Sequence, residues 1–400
     1  MKKVLIVMPC GLPVPAVKGG AVATLVESLL KMNEAEKQVQ FYVFTSGNKE
    51  SESLAKQYHH TEFYHIHYHP MLLAFDKMIS SKGILKKLYV IEKAMQYIKK
   101  GDFDAIILQN SGFLLKIFRN KRLLEKYKDK LFYHLHNDIP HNADRKVLKY
   151  CRFILISKYL IKGVVDLCGD GAREKCIIVK NGINVHKFTR TLSIEEKSHL
   201  REELNIKPEQ KILIFVGRIN PQKGIDKLLD AMKVLDDANI VLVVIGSTNF
   251  GADECSPFEK NIRQKCLEME SQVRFTGFIH NNELWKYYQL ADIAVLPSMW
   301  EEPAGLTMIE AAASGTPVVT TISGGIPEYM SANCGVLVKR DSAIVQSLAE
   351  VIKGMLEHEE KWRQRIAIGR KEICQCYSEE AFYQRFMNCM NYEDRNTDIH

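Results

Sequence analysis

Short apolar runs closed by glycine, proline or a polar turn, each followed by a segment of helical spacing, recur along the whole chain and restart once near its middle. Runs of this kind read as buried strands of a parallel sheet, and the intervening segments as crossover helices. In the first half the strand expectations are 4–8, 41–45, 62–69, 105–109, 131–136, 153–157 and 176–179. In the second half they are 212–216, 240–245, 273–275, 293–296, 317–320 and 335–338. Helical spacing covers 21–32, much of 71–100, 226–235, 283–291, 307–314, 342–376 and 378–390. With 400 residues the chain is long for one core and comfortable for two. The polar stretch 187–208 reads as a linker, dividing the chain into domains 1–188 and 189–377.

Composition is globular, with 46% apolar and 26% charged residues. The net charge of +7 conceals an asymmetry: residues 1–190 carry 32 basic and 17 acidic side chains, residues 191–400 carry 23 and 31. Two readings stay open, a pair of differently solvated surfaces or a basic half that faces an anionic surface or acceptor. Lysines among leucines and isoleucines over 77–100 suit an interfacial helix or an ordinary amphipathic core helix. Ten cysteines without a Cys-x-x-Cys pair suggest reduced, packing thiols in a cytoplasmic protein. The first apolar run is too short for a secretory segment, and nothing approaches the 18 apolar residues of a membrane span. The expected location is cytoplasmic, at most peripheral on a membrane face.

Chemistry concentrates after two strands of the second half. Following 293–296 comes Ser298-Met299-Trp300-Glu301-Glu302-Pro303-Ala304-Gly305-Leu306-Thr307, then a helix carrying Glu310. Loops at the carboxyl ends of parallel strands are where ligands bind, and a helix start offers N–H groups to an anion. Two acids near a helix start are, by themselves, also compatible with capping. Following 212–216 comes Gly217-Arg218-Ile219-Asn220-Pro221-Gln222-Lys223-Gly224, a glycine-bounded loop with two cations. In the first half, Gly19-Gly20 precedes the helix at 21, and His134-Leu135-His136 closes the strand at 131–136. His65, His67 and His69 alternate along one strand with no acid in register, so a solvated strand is expected rather than a metal site.

Glu302-x7-Glu310, Gly315-x-Pro317-Val318-Val319, Gly324-Gly325-Ile326-Pro327-Glu328, Gly217-Arg218-x4-Lys223-Gly224 and Asn181-Gly182-Ile183 occur in the order seen in glycosyltransferase family 4, which the chain resembles. The resemblance implies a GT-B fold: two Rossmann-like domains facing across a cleft, with the helix within 378–392 crossing back to the N-terminal domain. It implies retaining transfer of a sugar from a nucleotide-diphosphate donor, without metal or other cofactor. The acceptor would be a glycan or lipid-linked hydroxyl bound by domain 1–188, the donor would sit on 189–377, and no nucleic acid would be involved.

The roles implied are residue-specific. Arg218 and Lys223 would bind the donor diphosphate, Glu302 the donor sugar and Glu310 the ribose. Gly305, Leu306 and Thr307 would present the helix start, and Gly19, Gly20 and Gly217 would allow close backbone approach. His136 is the candidate beside the reacting centre, with His134 in reserve. Ala304 departs from the aromatic residue frequent at its position, which leaves the donor sugar open. A nucleotide-sugar 2-epimerase of the same fold and a catalytically silent nucleotide-sugar-binding subunit are the alternatives.

Overall fold

The computed structural model describes residues 1–17, 20–79, 83–248 and 256–391. The chain forms two compact units, 1–182 with 379–400 and 183–378.

The first unit is built on a seven-stranded parallel sheet. Its strands are β1 (Lys2–Val7), β2 (Val39–Ser46), β3 (Thr61–Ile66), β4 (Ala105–Gln109), β5 (Leu131–Leu135), β6 (Arg152–Leu155) and β7 (Cys176–Ile178), in the order β3-β2-β1-β4-β5-β6-β7. The second unit has six parallel strands: β8 (Lys211–Val216), β9 (Ile240–Ile245), β10 (Val273–Gly277), β11 (Ile293–Leu296), β12 (Val318–Thr321) and β13 (Gly335–Val338). Their order, β10-β9-β8-β11-β12-β13, is that of a Rossmann domain. In each sheet the order reverses between the first and fourth strands, β1 and β4 or β8 and β11.

The all-apolar strands follow from burial on both faces. Along β8, Ile212, Ile214 and Val216 join one core cluster while Leu213 and Phe215 join the other. Side chains alternate across a strand, so a strand covered on both sides by helices needs apolar residues at every position.

The boundary between units falls at Gly182, before the expected 188. The stretch expected as a linker is instead folded into the second unit. It carries helices Val185–Phe188 and Ile194–Glu203, and Phe188, Leu192, Leu200 and Ile206 are buried in that unit's core. Ser193 and Glu196 form a capping box at the second of these helices. Widely spaced apolar residues among charges conceal such a segment from a reading based on polarity.

Two further expectations shift. The strand expected over 62–69 ends at Ile66, so His67 and His69 lie beyond β3; His67 Nε2 is 3.5 Å from Glu52, and the His65 ring stacks on Phe63. The segment 71–100 divides into helices Pro70–Ile79 and Ile84–Lys100.

Helix Glu379–Met390 returns to the first unit. Phe382 and Phe386 are fully buried in the core containing Val4, Ile6 and Phe41. Tyr383 Oη donates to Asn33 Oδ1 at 3.0 Å, and the Asn33 amide in turn bridges both backbone groups of Val39. Phe386→Ala is expected to destabilise the first unit by about 3–5 kcal/mol. Trp285, Trp300 and Trp362 all lie in the second unit. In urea, circular dichroism should therefore show an early transition in this variant while tryptophan fluorescence keeps the wild-type midpoint.

Candidate active site

The loops after β8 and β11 meet where the strand order of the second sheet reverses. Gly224 makes that meeting possible. Its φ is 70°, and a Cβ there would collide with the carbonyl oxygen of Pro297 at the end of β11. Gly246 similarly lets the backbone carbonyl of Gly217 lie against it. With the two loops in contact, Met299 N–H donates to Gln222 O at 2.7 Å. Thr321 Oγ1 donates to Ser298 O at 2.6 Å and pins the second loop from the β12 side.

This frame brings Lys223 and Glu302 together. Lys223 Nζ lies 2.6 Å from Glu302 Oε2 and 2.9 Å from Oε1. Ser298 Oγ and Trp300 Nε1 also donate to Oε2, at 3.1 and 3.0 Å. Both charged side chains are largely shielded, 20% and 14% exposed, which strengthens their attraction. They line a pocket with Ser298, Gly305 and Thr307. Helix Leu306–Ala313 begins at its edge. Its N-cap, Gly305, supplies no side-chain acceptor; Met308 N–H turns back to Gly305 O at 3.2 Å, and no side chain caps the N–H groups of Leu306 and Thr307. A cation and a helix start beside one pocket suit an anion, which would compete with Glu302 for Lys223.

Glu310 sits four residues into that helix, in a separate buried network outside the residues lining the pocket. Asn281 Nδ2 donates to Oε1 and Tyr288 Oη to Oε2, each at 3.3 Å, and Lys187 bonds to Asn281. Burial pushes the carboxyl up to about 7, against the opposing pull of Lys187 and the two hydrogen bonds. Arg218 shares the Lys223 loop but is exposed and forms no ion pair with a described residue. Leu306 is half-buried against the core.

In the first unit Gly20 is the N-cap of helix Ala21–Glu36, with φ 104°. Gly19 lies outside the described residues. β5 ends at Leu135, so His136 stands just past the strand rather than within it. The His134 and His136 rings share one side, their centroids 4.1 Å apart. His136 Nε2 is 3.1 Å from Gln109 Oε1, and the His136 backbone N–H donates to Asn110 Oδ1 at 2.9 Å. Burial lowers His136 to about 3 and drives His134 well down as well, so both are neutral at ordinary pH.

Ser298, Trp300, Asn281 and Tyr288 were not marked as site residues by sequence. Ser298 and Trp300 were within reach, as they flank Glu302 in one loop. Asn281 and Tyr288 precede Glu310 by 29 and 22 positions and carry no local signal.

Fold and site together define a chain of two Rossmann-like domains, the second bearing a cation–carboxylate pair at its reversal point. Residues 196–372 match the family model of glycosyl transferases group 1. It is 37% identical over 184 residues to an uncharacterized glycosyltransferase of Methanocaldococcus jannaschii, an alignment spanning 45% of this chain and 44% of that one. It is 29% identical to an uncharacterized protein in the cps region of Klebsiella pneumoniae, over 92% of this chain and 93% of the other. The Anabaena protein HepE, solved in complex with UDP-glucose, superposes with a TM-score of 0.72 at 19% identity, covering 98% of this chain and all of HepE. The likeness to HepE shows a shared fold; the family match supports glycosyltransferase activity.

The state of Glu310 makes stability pH-dependent. Its folded value of about 7 exceeds the ordinary 4.5 of a glutamate, so the folded chain holds the proton more tightly. Stability from this group is present at low pH and falls as pH rises from about 4.5 to 7. Glu310→Gln, which keeps a neutral side chain, should raise the melting temperature at pH 8. The gap should close by pH 5, following a difference of about 1–3 kcal/mol. A pH-independent gap in thermal melts would contradict the assignment.

Proposed function

We propose that the chain is a retaining glycosyltransferase that moves a sugar from a nucleotide-diphosphate donor on the second unit to a hydroxyl of a glycan or lipid-linked acceptor recognised by the first. The observation that carries this reading is the Lys223–Glu302 pair lining one pocket with Gly305 and Thr307 at a helix start. The family match supports the reaction class, and the UDP-glucose complex of HepE, which shares the fold, supports the donor type. Retention follows from the resemblance to glycosyltransferase family 4.

In this reading the donor diphosphate displaces Glu302 from Lys223, and Arg218 adds a second cation from the same loop. The bond between the anomeric carbon and the diphosphate oxygen breaks, and its electron pair leaves with the diphosphate. Lys223, Arg218 and the first-turn N–H groups stabilise the developing negative charge. The acceptor oxygen bonds to the anomeric carbon on the same face, and its proton passes to a diphosphate oxygen. No metal ion is assigned to the step. Glu302, released from Lys223, accepts from hydroxyls of the donor sugar. Glu310 accepts from the ribose, each carboxylate oxygen keeping a lone pair beside its bond from Asn281 or Tyr288. His136, neutral, offers a hydrogen bond near the reacting centre without adding charge. The Klebsiella relative from the cps region supports a setting in cell-envelope or capsular polysaccharide assembly.

A panel of UDP-, GDP- and ADP-sugars in thermal melts should single out one donor that raises the melting temperature by mass action. With that donor, Lys223→Ala and Arg218→Ala should each lower turnover on the order of 10²-fold or more. Near-normal rates in both variants would remove the diphosphate clamp. Failure of every nucleotide sugar to shift the melt would remove the donor assignment.

A further inference from the structure

Helix Pro70–Ile79 is turned inside out. Its buried residue is an acid, Asp76, at 2% exposure, while Met71, Leu73, Phe75, Met78 and Ile79 face water, Phe75 at 53% and Met78 at 75%. Asp76 is held inward by its partners. Its Oδ1 accepts from Leu85 N–H at 2.8 Å, and Oδ2 lies 3.8 Å from Lys86 Nζ. It therefore anchors the start of helix Ile84–Lys100. Holding Asp76 inward leaves the apolar side chains outward. The next helix splits along its length. Val90, Ile91, Ala94 and Ile98 pack into the core, whereas Ile84 and Leu88 in its first turns are exposed. Seven large apolar side chains thus lie exposed within one stretch of 18 residues, 71–88. An unpartnered cluster of this kind marks an interaction surface.

The charge around it selects the partner. Between residues 70 and 91 the sequence holds Lys77, Lys82, Lys86 and Lys87, with Asp76 the lone acid. Asp76 is buried and holds Lys86, and Lys77 stands exposed, so the charge the face presents is basic. Apolar side chains that project among lysines match a lipid surface bearing anionic headgroups, where the first enter the acyl boundary and the second meet phosphate. A soluble protein partner would leave exposed Lys77 without an opposite charge unless it were itself acidic. We propose that the face formed by helix Pro70–Ile79 and the first turns of helix Ile84–Lys100 seats the chain on an anionic bilayer surface. Phe75 and Met78 insert, and Lys77 engages headgroups. No helix among the described residues is long and apolar enough to cross a membrane.

The test uses the full chain and vesicles of phosphatidylcholine with or without phosphatidylglycerol, in co-sedimentation at low and at physiological salt. The wild-type chain should sediment with the mixed vesicles at low salt, bind more weakly as salt rises, and ignore phosphatidylcholine alone. Phe75→Ser with Met78→Ser should weaken binding at least about tenfold. Both residues are exposed, so the variant's melting temperature should match wild type, separating lost insertion from lost folding. Lys77→Gln should weaken binding about fivefold and flatten its salt dependence. Absence of sedimentation at low salt would overturn the proposal. So would wild-type binding by the Phe75/Met78 variant, which would indicate adsorption by charge alone. A wild-type dimer in sedimentation velocity that this variant abolishes would assign the face to a second copy instead.

Discussion

A single close approach organises the second unit: the backbone of Gly224 lies against the carbonyl of Pro297. Strands β8 and β11 are neighbours, and their loops start side by side, yet two loops with ordinary side chains at the crossing would be held apart. Removing one Cβ closes the gap enough for Met299 to bond Gln222 across it. Lys223, next to the glycine, then falls within hydrogen-bond distance of both oxygens of Glu302. The ion pair is thus a consequence of backbone packing. Trp300 and Ser298 hold the carboxylate from the other side, so its position is determined from three directions. Receiving an anion here requires Lys223 to exchange Glu302 for it, on a backbone frame already fixed in place.

Much of this was legible in the sequence because parallel strands buried on both faces leave unmistakable apolar runs. Ile240–Ile245, Ile293–Leu296 and Gly335–Val338 are read to the residue. The Lys223 and Glu302 loops were readable for a related reason: each begins where such a run stops. Less visible was anything determined by partners far along the chain. Glu310 looks from sequence like a second wall of the pocket of Glu302. In the structure Tyr288 and Asn281, from the preceding helix and loop, enclose it in a network of its own. The folded character of 187–208 was hidden because four apolar side chains suffice to dock a charged helix, and polarity dominates any average over the segment. The inversion of helix Pro70–Ile79 was equally hidden. Its spacing of leucine, phenylalanine and methionine is that of a core helix, and nothing local reveals that Asp76 takes the inward position.

The two sheets share a strand order through six strands, and each places candidate site residues after its first strand. Gly20 follows the first strand of its sheet as Lys223 follows the first of the other. The histidines of the first unit end the fifth strand, while Glu302 of the second follows the fourth. The histidine pair is a deeply desolvated, uncharged arrangement, whereas the second unit concentrates formal charge. A common scaffold thereby carries two electrostatic characters, set by loop content rather than by topology.

The helix Glu379–Met390 completes the core of the first unit although 196 residues of another folding unit intervene. During synthesis the ribosome delivers every residue of the second unit before it delivers Phe382 and Phe386. The opening unit must wait with part of its apolar interior uncovered while its neighbour can already collapse. Translation order and order of completion are therefore inverted: the unit begun first is finished last.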